Sequence, residues 1–184
     1  MLSIFLRKLL LARQATLDEG EITILTKNFY MQPLFQLVVL QEKLRKDLGK
    51  KGLKLIYEVG KSGFSDLLER IEKFSSKKEE FQSLWLNVLK LCGIGNLEII
   101  EIDKQNFEAM LQTNKNPFAL EYLKKYGKQK ECVDHLTAGI IAEFFSRFFG
   151  KEVECEEKSC IARGNAYCNF VVKPVRRTKG INVY

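Results

Sequence analysis

The sequence predicts an α+β domain, and three observations predict it. Segments with helical and with strand periodicity interleave without the regular alternation that builds a doubly wound parallel sheet. The chain closes on two strand-like runs that fold back about Gly164-Asn165, a hairpin rather than a crossover. Its 184 residues, 46% hydrophobic and 29% charged, suffice for one core and crowd two. A single domain is expected over residues 1–173, with a basic tail at 174–184.

The elements follow in order. Leu2, Phe5, Leu6, Leu9 and Leu10 recur at helical spacing and predict a short amphipathic helix over Met1–Leu11. Residues 21–26 alternate as a strand. Pro33 suits a first helical turn ahead of Leu34, Leu37, Val38, Gln41, Leu44 and Leu48, and that helix should stop at Gly49 to Gly52. Leu53, Leu55, Tyr57 and Val59 predict a strand running into Gly60-Lys61-Ser62-Gly63. This is no phosphate loop, because Leu55 stands where the wrapping glycine is needed. Two helices follow, with Leu67, Leu68 and Ile71, then with Phe81, Leu84, Trp85 and Val88, ending at Gly93 and Gly95. Two strands at 97–103 and 106–112 meet at the turn Asp103 to Gln105. A short helix around Phe118 and Tyr122 ends at Gly127, and a longer one from Val133 to Phe149 ends at Gly150. The apolar arc of the longer helix is wide enough for a central position, or for sharing with a second subunit.

Composition excludes several classes. No apolar run approaches the ~20 residues of a membrane span. One histidine excludes the two-histidine zinc peptidase pattern and routes any histidine chemistry through His135. The net charge of +7 is dispersed among acids, apart from the cations Lys173, Arg176, Arg177 and Lys179 near the C-terminus, so nucleic-acid binding by this chain alone is not expected. The apolar start lacks the leading cationic segment of a signal peptide, and the cysteine count, five, is odd. The expected setting is the reducing cytoplasm, where clustered thiols bind metal or react rather than bridge.

The cysteines concentrate in the hairpin. Folding about Gly164-Asn165 sets Cys160 opposite Cys168, close enough to share a tetrahedral metal or to oxidise. Val153, Cys155 and Glu157 share one face, so Glu157 continues an apolar row where a lone carboxylate is costly and a cation would relieve it. Glu157 and Cys160 are three apart, and convergence on one point requires a bulge or turn at Lys158-Ser159.

Asp134-His135-Leu136-Thr137-Ala138-Gly139, the helix end Phe148-Phe149-Gly150, Glu157-x2-Cys160 and Gly164-x3-Cys168-x-Phe170 resemble the 4-vinyl reductase (4VR) domain family, whose shape is that of the TRAPP vesicle-tethering subunits. The specific motifs fall in residues 117–173. The resemblance implies a small antiparallel sheet packed on helices, commonly dimeric, around a pocket for hydrophobic molecules. It also implies zinc, held in the family's phenol sensors by a cysteine and by the glutamate and two cysteines of the E-x2-C-x7-C spacing. Glu157, Cys160 and Cys168 carry over directly. Counting back from Gly139, the remaining ligand position is Asp134, with His135 and Cys132 as alternates.

The expected function is therefore a non-enzymatic, homodimeric module binding an apolar or aromatic small molecule, with structural zinc near the lid of its pocket. Trp85 and Phe144 are the candidate pocket walls. The alternative is a thiol–zinc redox sensor or scaffold. A vinyl-reductase-related enzyme ranks lower, since no dinucleotide fingerprint or other hydride source is visible.

Overall fold

The computed structural model describes residues 10–175, so the predicted N-terminal helix, apart from Leu10 and Leu11, and the tail from 176 onward lie outside the described residues. β1 (Ala15–Asp18), β2 (Glu21–Ile24) and β3 (Lys27–Phe29) form an antiparallel meander. The strand expected over 21–26 stops at Ile24, because Leu25 and Thr26 form a second two-residue turn with φ of 52° and 63°. Neither residue favours that conformation, and burial of the Leu25 side chain in the core compensates it.

Six helices and four further strands follow. They are α1 (Leu34–Leu48), α2 (Lys50–Gly63), α3 (Ser65–Lys73), α4 (Lys78–Leu91), β4 (Glu98–Asp103), β5 (Glu108–Thr113), α5 (Pro117–Tyr126), α6 (His135–Phe149), β6 (Val153–Ser159) and β7 (Cys168–Pro174). A 3-10 turn, Ile161–Arg163, lies between the last two. α1 ends at Gly49 as expected.

The strand expected at 53–59 is instead helix α2. Its alternation of apolar residues is equally a helical stripe, Gly52, Ile56 and Gly60 being the buried positions. The two glycines, read as turn formers, serve contact. A Cβ on Gly60 would lie 2.2 Å from the Leu136 carbonyl oxygen, and one on Gly139 would lie 2.0 Å from that of Tyr57. Helices α2 and α6 therefore cross backbone to backbone, which only glycine permits.

The second sheet runs β4-β5-β7-β6, all antiparallel, so the last strand is central and β6 is an edge. Its buried row, with Leu111, Val153, Cys155, Phe170 and Val172, packs on α6, whose Ile140, Ile141, Phe144 and Phe145 are also buried. The fold is thus the predicted helix-backed antiparallel α+β domain. Among the described residues no helix is long and apolar enough to cross a membrane.

Candidate metal centre and its surroundings

The hairpin builds the site. The β6–β7 register shifts between Glu157 and Ser159, the bulge that the sequence required, and it returns Cys160 to the face that Glu157 occupies. The connection is then pinned. Arg163 N–H and Asn165 N–H donate to the Cys160 carbonyl at 3.0 and 3.3 Å, and the Asn165 side chain accepts from Cys160 N–H at 3.2 Å. Gly164, at φ 89°, supplies the left-handed turn.

Glu157, Cys160 and Cys168 are all buried, and one donor atom from each falls within 4.8 Å of the others. The two sulfurs are 4.0 Å apart, far beyond a disulfide and near the about 3.8 Å that tetrahedral zinc–thiolate geometry sets. Glu157 Oε2 accepts from the backbone N–H groups of Val133 and Asp134 at 3.0 and 2.9 Å, which ties the hairpin to the entry of α6. Its Oε1 is buried without a partner among the described residues. An orphan carboxylate oxygen beside two paired thiols is a donor set that a cation completes. Without a cation, the hydrogen bond with Cys160, then burial, pushes the Cys168 thiol far above its ordinary range, so the pair keeps its protons until a metal replaces them.

The remaining predicted ligands stand differently. Asp134 caps α6: Oδ1 accepts from Thr137 N–H at 3.1 Å, and Oδ2 accepts from the Asn116 side chain at 2.6 Å. Burial, followed by repulsion from Glu157, pushes its carboxyl up to about 6. It is not in the close cluster. His135 is the first residue of α6, with its pKa lowered by burial. Cys132 is half-buried, and Arg163 Nη1 reaches its sulfur at 3.8 Å. Burial, then Glu157, raises this thiol to about 11, and burial raises Cys155 well above its ordinary value, so neither is a poised nucleophile.

Trp85 and Phe144 are in the core, fully buried and stacked at 3.8 Å with 6° between planes. Phe81 and Phe145 complete the aromatic wall. The Trp85 indole N–H has no partner among the described residues. The surface grooves lie elsewhere: cavities of ≈ 850, ≈ 420 and ≈ 400 Å³ share His135, and the smallest also holds Cys132 and Glu157. Sequence reasoning missed Tyr57, whose hydroxyl accepts from Cys155 N–H at 3.1 Å and covers the edge of β6. Reading 53–59 as a helix would have placed Tyr57 one turn before Gly60 on that packed face.

With this geometry in view, the comparison with known families is decisive for the C-terminal third. Residues 121–174 match the vinyl-4-reductase (4VR) domain. The match runs from α5 to the end of β7 and includes Cys132, Asp134, His135 and all three clustered residues, as the sequence motifs indicated. An uncharacterized protein of Methanocaldococcus jannaschii, MJ0150, is 25% identical over 119 residues, 65% of this chain and 63% of that one. The phenol-responsive sensory domain of the transcription activator PoxR, solved with phenol, superposes with a TM-score of 0.79 at 16% identity, covering 97% of this chain and 94% of that one. A vinyl-4-reductase family protein from M. jannaschii gives 0.51 at 22% identity over 95% and 97% of the two chains. A trafficking protein particle complex subunit 3 from Naegleria fowleri, covalently bound to palmitic acid, gives 0.52 at 17% identity over 76% and 93%. The segment matched by the domain family thus sits in a fold shared along nearly the whole chain.

Proposed function

We propose that the chain is a non-catalytic, cytoplasmic module that binds an apolar, aromatic small molecule, works as a homodimer, and carries zinc as a structural brace. The observation that carries the ligand reading is Trp85: a buried N–H without an acceptor among the described residues, set among Phe81, Phe144 and Phe145. An unmade buried hydrogen bond costs about 1–3 kcal/mol, and a planar ligand with one oxygen acceptor would recover it. The likeness in fold to a phenol-responsive sensory domain supports the same chemistry. Because the indole and Phe144 are in contact, the ligand enters by displacing a ring, and its affinity includes the cost of that opening.

Zinc suits two thiolates and a carboxylate, with a fourth donor from the segment before α6. Bound there, it supplies positive charge and fixed tetrahedral geometry that tie hairpin to helix. The homodimer reading rests on apolar side chains left exposed on α1 (Phe35, Val39) and α2 (Leu55, Val59).

The test is native mass spectrometry of untagged protein prepared without chelators, followed by titration with phenol and alkylphenols. A dimer with one zinc per chain and saturable phenol binding, weakened about 10-fold by Trp85→Phe, is expected. A metal-free monomer that binds no phenol would overturn the reading.

A further inference from the structure

We infer that Cys132, rather than the N-capping Asp134, supplies the fourth donor to a metal held by Glu157, Cys160 and Cys168. The inference rests on the metal reading above and names the one ligand that reading leaves open. Three candidates stand on the segment entering α6, and their surroundings separate them.

Asp134 is already committed. One oxygen caps α6 through Thr137, and the other holds Asn116, whose own carbonyl oxygen accepts from Ala119 N–H at 2.9 Å and caps α5. A single buried contact thereby fastens the starts of two helices. Turning the carboxylate toward a metal would release a cap worth about 1 kcal/mol and leave the buried Asn116 amide without an acceptor. His135 faces another way. Among the described residues the charged neighbour acting on it is Glu131, and it lines all three grooves with residues of α2 and the 129–133 segment.

Cys132 has none of these commitments. Its sulfur feels the charges of Glu157 and Cys160, two of the three clustered residues, and shares the ≈ 400 Å³ groove with Glu157. The next residue is clamped from both sides: Val133 N–H donates to Glu157 Oε2 at 3.0 Å, and its carbonyl accepts from Gln41 Nε2 at 2.6 Å. The clamp holds Cys132 beside the cluster in every state in which Glu157 is in place. Its side-chain partner among the described residues is Arg163, at 3.8 Å, on the 3-10 turn that separates Cys160 from Cys168. That guanidinium favours the thiolate over the thiol and belongs to the loop bearing the other two sulfurs. Cys132 stands outside the close group of three, so completion requires its sulfur to leave Arg163 and close on the other donors. The resulting set, three thiolates and one carboxylate, is softer than the set with Asp134 and selects thiophilic divalent ions.

Cobalt(II) tests this without any activity assay, because its near-ultraviolet charge-transfer band grows with each thiolate bound. The full chain, Cys132→Ser and Asp134→Ser are titrated with cobalt, the serine at 134 preserving an N-cap. Expected is a three-thiolate band in the parent chain, about one third weaker in Cys132→Ser and unchanged in Asp134→Ser, with affinity falling at least ~10-fold only in the former. Cobalt bound with a two-thiolate band that Cys132→Ser leaves unchanged would overturn the inference while upholding the metal reading. No cobalt uptake by the parent chain would overturn both. Should Cys132→Ser fail to fold, iodoacetamide labelling of the parent chain decides: zinc loading must slow modification of the half-buried Cys132, and equal labelling with and without zinc refutes its ligation.

Discussion

Glu42 on α1 and Glu157 on β6 are both buried carboxylates, and the two regions treat them in opposite ways. Arg45 grips both oxygens of Glu42 at 2.7 Å, Lys46 stands at 3.6 Å, and the Tyr122 hydroxyl donates to the same group from α5. Every lone pair with a demand has a partner supplied by the chain. Among the described residues Glu157 receives two backbone N–H groups on one oxygen and nothing on the other, and the charged groups nearest it are thiols and another carboxylate. A closed arrangement stabilises the fold by itself. An open one waits for something the chain does not contain.

The two regions communicate through the α2–α6 crossing, since α1 packs on α2 and the hairpin packs on α6. Gly139→Ala breaks the comparison most severely. Its Cβ would lie 2.0 Å from the Tyr57 carbonyl oxygen, which is backbone and cannot swing aside. We expect a loss of at least ~3 kcal/mol in urea unfolding, or no folded protein. A variant within ~1 kcal/mol of the parent would show that the helices can separate without penalty.

Next in size is Glu42→Ala, which leaves Arg45 and Tyr122 without their acceptor. Arg45 is about half exposed and regains water, so the expected loss is about 2 kcal/mol rather than that of a fully buried pair. The pH dependence sharpens the point. The Arg45 hydrogen bond, helped by Tyr122, holds Glu42 at about 2 against an ordinary 4.5. Its folded pKa is depressed, so its contribution is complete above about 4.5 and disappears as pH falls toward about 2. Parent and Glu42→Gln should therefore differ in urea midpoint at pH 7 and converge near pH 2 to 3. A constant difference across that range would show that the charge of Glu42 is not what matters.

This contrast also marks what the sequence could show. The hairpin, its bulge and the Glu157-Cys160-Cys168 convergence were legible, because they follow from spacing within about a dozen residues and the period-2 rule of strands. The Glu42–Tyr122 pair joins residues 80 apart on two helices, and nothing local announces it. Helix α2 was misread for a related reason. Leu53, Leu55, Tyr57 and Val59 fit both periods, and the glycines that settle the matter do so only through Leu136 and Tyr57 carbonyl contacts made on folding. Trp85 and Phe144 were singled out as pocket walls from aromatic content alone. Their stacking in the core follows from helices α4 and α6 packing together, a contact that spacing within either helix does not encode.

The smallest effect is the most discriminating. Glu157→Gln keeps a carbonyl oxygen to accept from Val133 and Asp134 and removes a buried negative charge from beside Asp134. In metal-free protein the two changes oppose each other, and stability should stay within ~1 kcal/mol of the parent. Glu42→Gln, by contrast, is costly at pH 7 whether or not metal is present. Zinc then separates the two carboxylates. At 100 times its dissociation constant it should stabilise the parent by about 2.7 kcal/mol, a rise of about 5–10 °C for a chain of this size. Glu42→Gln should retain that rise, and Glu157→Gln should lose most of it. If Glu157→Gln destabilised the metal-free protein as much as Glu42→Gln does, the carboxylate would be a satisfied core group like its counterpart, and the open oxygen would carry no meaning for a ligand.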